Sequence, residues 1–142
     1  RTYTFYLSPN LSHTFPLGGP FLGHDVRVFG SVITADYAGK TELQCKFANG
    51  VQKQGTEAPN KDSVSCSPDN MVQGVSTIQI SLNNVDWSRT FPYVFYTPLE
   101  TSGIKPLGGP PQGSTVVTIS GRNFIYPNFT TADTVCKFTL NL

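Results

Sequence analysis

The feature that most constrains this chain is that it repeats itself. Tyr3, Phe5 and Tyr6 recur as Tyr93, Phe95 and Tyr96, 90 positions later. At the same offset Pro16-Leu17-Gly18-Gly19-Pro20 recurs as Pro106-Leu107-Gly108-Gly109-Pro110, and Gly23 as Gly113. One inserted residue then raises the offset to 91, so that Val26 and Gly30 match Val117 and Gly121, and Cys45-Lys46-Phe47 matches Cys136-Lys137-Phe138. A period of about 90 residues is too long for a solenoid repeat or a propeller blade and fits a β-sandwich, which needs roughly 100 residues to close two sheets over a core.

In this register residues 1–8 are the last strand of a preceding repeat, 9–97 form one complete repeat, and 98–142 are the first half of a further one. The chain starts at Arg1 and stops at Leu142 without a turn or polar tail, so a piece of a longer protein is expected. The apolar segments 116–119 and 135–138 of the last repeat are then expected to be strands without partners in this chain.

Composition narrows the class. Asp, Glu, Lys and Arg make up 13% of the residues, about half the usual share, while 13 Gly and 11 Pro are more than average. With abundant β-branched and aromatic residues this favours an all-β fold over helices. A net charge of +1 with scattered Lys and Arg offers no footprint for nucleic acid or an acidic membrane surface. No apolar run approaches the roughly 18 residues of a spanning helix, and no signal core follows the N-terminus, so no direct membrane insertion of this segment is expected.

Within the complete repeat, short strands alternate with turn signals. Phe15 to Leu17 leads into Gly18-Gly19-Pro20, which is expected to turn. His24 to Phe29 follows, with Val26 and Val28 on one face. Glu42 to Phe47 puts Leu43, Cys45 and Phe47 on one face, and Ala48-Asn49-Gly50 turns into a polar strand near Val51 to Thr56. Val64 and Cys66 share the next strand. Ser76 to Leu82 alternates most cleanly, with Ile78, Ile80 and Leu82 inward. Phe91 to Tyr96 closes the set with Tyr93 and Phe95 inward, giving seven strands and no helix, an Ig-like count.

The segment from Gly103-Ile104-Lys105-Pro106 through the Gly-rich turn and the strand Val117-Thr118-Ile119 to Gly121-Arg122-Asn123-Phe124 resembles the opening of an IPT/TIG domain, the Ig-like module of plexins, Met-type receptors and many protist surface proteins. The complete repeat continues the resemblance with Cys45-x-Phe47, Val64-Ser65-Cys66-x-Pro68, Ser81-Leu82-Asn83 and the closing Phe91 to Tyr96. It departs at Gly30-Ser31-Val32-Ile33, where Ile replaces the Phe of the Gly-x-x-Phe corner. Filamin repeats share the fold and the Gly-rich turns. The resemblance implies tandem Ig-like β-sandwiches of the E-set, IPT/TIG type, one complete and one partial.

It also implies a disulfide between Cys45 and Cys66, against the alternative of two reduced core cysteines. Cys136 stands where Cys45 does, so its partner is expected beyond Leu142. Asn10-Leu11-Ser12 and Asn128-Phe129-Thr130 are N-glycosylation sequons, both expected in loops or linkers. Metal and catalytic readings fail on inventory, and neither a cofactor nor an enzymatic activity is expected. His13 and His24 are the only histidines, without carboxylates at ligand spacing, and read as a linker side chain and a strand-start residue. No Ser, Thr or Tyr has a base and an orienting group beside it.

Trp87, following Asn83-Asn84-Val85-Asp86, is a candidate binding anchor, or else a ring covering one end of the core. Phe29 alternates against Val26 and Val28 and is a candidate for docking a neighbouring repeat.

The expected role is that of a non-enzymatic structural or adhesive module in a large extracellular or cell-surface protein, with a ciliary or flagellar surface as one home that the resemblance implies. Short linkers such as 97–101, with Pro98, would make it a semi-rigid spacer whose partners are other proteins or neighbouring repeats. The alternatives are the stalk of a plexin- or Met-like receptor ectodomain and an intracellular filamin-like cross-linker. If Phe29 serves docking rather than the core, Phe29→Ser leaves the repeat as stable as before in urea unfolding.

Overall fold

The computed structural model describes residues 3, 5–33, 42–124 and 135–139. The chain divides into two compact units, Arg1–Tyr96 and Thr97–Leu142, and every regular element among the described residues is a strand.

The first unit contains β1 (Asn10–Phe15), β2 (Gly18–Pro20), β3 (Val26–Ser31), β4 (Gln44–Phe47), β5 (Gln52–Gln54), β6 (Thr56–Glu57), β7 (Ser63–Cys66), β8 (Gly74–Ser81) and β9 (Phe91–Tyr96). They form a four-stranded sheet in the order β1-β3-β7-β6 and a five-stranded sheet in the order β2-β9-β8-β4-β5. Period-two alternation sends one row from each strand inward. Val26, Val28, Val64 and Cys66 of the first sheet join Cys45, Phe47, Ile78, Ile80, Tyr93 and Phe95 of the second in one core, each 0–2% exposed. Burying each large apolar side chain in this way is worth roughly 1.5–3 kcal/mol. Ile33, at the departing corner, is buried in the same core.

Cys45 on β4 and Cys66 on β7 are joined by a disulfide, with 6.1 Å between their Cα atoms. The bond therefore ties one sheet to the other across the core.

Among the described residues the first unit has nine strands where seven were expected, because the stretches around Phe15–Leu17 and Val51–Thr56 each supply a strand to either sheet. Gly18-Gly19-Pro20 is not a turn. It is β2, an edge strand running parallel to β9 with Gly18 opposite Val94, Gly19 opposite Phe95 and Pro20 opposite Tyr96. An edge position tolerates a proline, and Gly19 is required because a Cβ there would lie inside the His24 imidazole. The polar strand expected near Val51 to Thr56 is likewise divided at Gly55, with β5 on the five-stranded sheet and β6 on the other. The Gly55 amide donates to the Leu43 carbonyl at 2.9 Å. A Cβ on Gly55 would come within 2.8 Å of Val64 Cγ1 and 3.2 Å of Cys45 Sγ, so the crossover runs against the disulfide with no room for a side chain.

In the second unit β10 (Glu100–Lys105) and β11 (Thr118–Arg122) form a two-stranded antiparallel sheet. Its register repeats that of β1 and β3. Asn10 faces Ser31 and Leu11 faces Gly30, then the ladder shifts by a residue before His13 meets Phe29. Glu100 faces Arg122 and Thr101 faces Gly121, with the same shift before Gly103 meets Ser120. A Cβ on Gly30 would strike the Asn10 carbonyl oxygen, and one on Gly121 the Glu100 carbonyl oxygen. The strand expected over 116–119 thus begins at Thr118 and is paired on one side by β10. The strand expected over 135–138 does not form; Val135 and Phe138 are exposed, without a ladder partner among the described residues. Three residues, Thr97, Pro98 and Leu99, lie between β9 and β10, a shorter connection than the 97–101 expected.

Val32 adopts a φ of 62°, and its counterpart one repeat on, Asn123, a φ of 64°. Asparagine tolerates this left-handed region, whereas a β-branched residue is strained there by about 1–2 kcal/mol. Val32→Asn should accordingly raise the stability of the first unit by about 1 kcal/mol, read from urea unfolding followed by Trp87 fluorescence. No gain would mean that Val32 packing offsets its backbone strain.

Candidate functional site

Among the described residues of the first unit, two clusters of chemically distinctive side chains lie on the outer sheet faces. On the four-stranded sheet, Arg27 and Phe29 point away from Val26 and Val28. Phe29 is half-buried, and the His13 ring from the neighbouring strand stacks on it at 4.4 Å between centroids and 3° between planes. The Arg27 guanidinium lies 5.5 Å from the centre of the Phe29 ring. Arg27 also donates to Ser63 Oγ at 3.1 Å, and Ser63 donates to Asp62 Oδ1 at 2.7 Å. That hydrogen bond is the first cause holding the Asp62 carboxyl below its usual range, followed by Asn60 and the Arg27 charge. The result is an exposed strip of histidine, phenylalanine and arginine, aromatic at its centre with a cation over one ring. His13 is part of this strip rather than of a linker.

On the five-stranded sheet Lys46 alternates outward from Cys45 and Phe47, and its Nζ sits 4.3 Å above the Trp87 ring. Trp87 is held by the loop before it. Asn83 Oδ1 accepts from the amides of Val85 at 3.0 Å and Asp86 at 2.9 Å, and Asn83 Nδ2 donates to Asp86 Oδ2 at 2.8 Å. Trp87 then bridges to Ser81, and Gln79, opposite Lys46, donates to the Ser88 carbonyl at 2.8 Å. Trp87 is therefore half-buried under a lysine on the outer face and does not cover the end of the core. Sequence alternation placed Lys46 outward but could not place Trp87, because a side-chain cage sets the loop path.

His24 lies under β2. Its Nδ1–H donates to the Pro20 carbonyl at 3.0 Å, leaving Nε2 to accept from the Tyr93 hydroxyl at 2.5 Å. Both contacts fit the neutral ring, and burial lowers the His24 pKa against the opposing pull of the Pro20 hydrogen bond and the Asp25 charge. Burial is also the main cause that raises the Tyr93 pKa. His24 is thus a structural pin between β2 and β9.

Asn10, expected in a loop, is the exposed first residue of the edge strand β1. Asn128 lies outside the described residues. Cys136 is exposed and has a free thiol. Among the described residues, no group of three His, Cys, Asp or Glu is placed to hold a metal ion, and no helix is long and apolar enough to cross a membrane.

Residues 99–140 match the family model of the IPT/TIG domain, a match that covers nearly all of the second unit. No curated protein matches the chain.

Because the folded-state pKa of His24 lies below its unfolded value of about 6.5, the unfolded chain binds more protons as pH falls through that value. The neutral-ring contribution is complete above pH ~6.5 and is lost below it, well above the range where carboxylates titrate. The melting temperature of the wild type should fall between pH 7.5 and pH 5.5 (about one unit above and below 6.5) by more than that of His24→Gln. Parallel curves for the two proteins would remove His24 as the cause.

Proposed function

We propose that residues 9–97 and 98–142 are successive Ig-like beads of the IPT/TIG type in a non-enzymatic extracellular or cell-surface protein. The observation that carries this reading is the register of the two hairpins. β1 with β3 and β10 with β11 pair residue for residue at offsets of 90 and 91, with the ladder shift at the same place. Since the matched segment 99–140 contains β10 and β11, the same family extends by this correspondence to the first unit. IPT/TIG domains are Ig-like, non-enzymatic and engaged in protein–protein interaction, which agrees with chemistry concentrated on outer faces.

The inter-sheet disulfide favours an oxidising compartment. A bond closing a loop of 21 positions contributes roughly 3 kcal/mol, in the chain-entropy account, to a sandwich of modest size. Asn10 on an edge strand is an accessible acceptor, and a glycan there would also block pairing of that edge with another chain. The short connection with Pro98 makes the beads a semi-rigid spacer. Phe29 with Arg27 and Trp87 with Lys46 are the surfaces offered to partners or neighbouring beads.

The test is non-reducing peptide mass spectrometry of protein from its native source, with and without glycosidase. A linked peptide containing Cys45 and Cys66, with a glycosidase-sensitive mass at Asn10 or Asn128, is the expected result. Free thiols at both cysteines with unmodified sequons would overturn the extracellular reading and favour an intracellular cross-linker.

A further inference from the structure

The β4–β5 hairpin turns through Ala48, Asn49 and Gly50, all exposed. Asn49 is the one asparagine in the chain that glycine follows. Gly50 has a φ of 81°, and a Cβ on it would meet nothing within 4 Å, so no neighbouring side chain crowds this peptide. The Asn49 side chain is folded back along its own backbone. Its Oδ1 accepts from the Val51 amide at 3.1 Å, and its Nδ2 donates to Met71 Sδ at 3.7 Å. An Asx turn of this kind curls the carboxamide over the following peptide, whose nitrogen is one five-membered ring closure from Asn49 Cγ.

We propose that Asn49 is a self-modification site, converted through the Gly50 nitrogen and water into aspartate and isoaspartate. In the first step the Gly50 nitrogen gives its proton to water and bonds to Asn49 Cγ. The Cγ–Nδ2 bond breaks, and Nδ2 leaves as ammonia with a proton returned by water. The product is a cyclic imide. Water then opens it. Attack at Cγ restores the ordinary backbone and leaves aspartate, while attack at the main-chain carbonyl leaves isoaspartate, whose backbone runs through Cβ and Cγ. Water is the only co-reactant.

The hairpin assists this step and outlasts it. The Val51 amide donates to Oδ1, the atom on which negative charge develops as the nitrogen adds. Ring closure costs the Gly50 amide its hydrogen bond to the Phe47 carbonyl, 2.9 Å long. The bond from the Phe47 amide to the Val51 carbonyl, also 2.9 Å, and the disulfide at Cys45 remain, so the strand pair is kept. The tip gains a carboxylate, and Met71, 5% exposed, loses the donor on its sulfur. Asn60 provides an internal contrast. It is exposed too, but Lys61 follows it with a side chain beside the attacking nitrogen, and its Nδ2 donates to Asp62 Oδ2 at 2.7 Å.

The inference is independent of the extracellular reading, so a failure here leaves the thiol and glycan test untouched. The experiment is incubation of the folded 142-residue chain at mildly alkaline pH in heavy-oxygen water, followed by peptide mass spectrometry and isoelectric focusing. Asn49 should lose ammonia and take up heavy oxygen at least about tenfold faster than Asn60, with isoaspartate among the products and a more acidic form of the protein accumulating in step. Asn49→Gln, whose longer side chain needs a six-membered ring, should not accumulate that form. Converted protein should keep a cooperative melting curve followed by Trp87, at a lower temperature than the parent. An Asn49 that keeps its amide, an Asn49 that converts no faster than Asn60, or an acidic form that accumulates equally in Asn49→Gln would each overturn the proposal.

Discussion

Each sheet of the first unit has one apolar face that must be removed from water, and the packing of those faces against each other underlies everything else in the structure. Tyr93 and Phe95 on β9, Ile78 and Ile80 on β8, and Val26 and Val28 on β3 meet in one buried cluster. The disulfide spans that cluster between β4 and β7, and the crossover at Gly55 runs so close to it that a methyl group would collide. Tyr93 enters the core with a hydroxyl that needs a partner, and the His24 imidazole at the edge provides one. The Pro20 carbonyl, an acceptor only, fixes the tautomer of that ring and leaves Nε2 to receive the hydroxyl.

The second unit shows what the same hairpin is like without that cover. Its register and its glycine contacts repeat those of the first unit, while Val117 and Ile119, the counterparts of buried Val26 and Val28, are half-buried. Phe47 is 2% exposed and Phe138 71%. A two-stranded hairpin is marginal by itself in water, since local ladder bonds must offset chain entropy without the burial that stabilises the first unit.

Among the described residues the distinctive chemistry lies on outer faces, where alternation put it. Arg27 and Phe29 face outward because Val26 and Val28 face inward, and Lys46 because Cys45 and Phe47 do. These positions were legible from period-two patterning alone. The stacking of His13 on Phe29 was not, because it depends on which residue of β1 lies across from β3. The ladder shift after Leu11 decides that, and no local pattern announces it. Nor could patterning choose between the two placements open to Trp87, since Asn83 hydrogen bonds steer its loop onto the outer face.

The sequence by itself determined the period of about 90 residues, the all-β class, the inward rows of β3, β4, β7, β8 and β9, and the Asn-Gly turn between β4 and β5. All of these follow from spacing between near neighbours or from self-similarity, which a linear reading can detect. Only the tertiary structure decided that Gly18-Gly19-Pro20 is a strand rather than a turn, that the polar strand divides at Gly55, and that His24 pins β2 to β9. Each depends on an atom brought near from far along the chain: the Tyr93 hydroxyl, Val64 Cγ1, or the open edge of β9. Spacing along a sequence carries no direct record of contacts across a core.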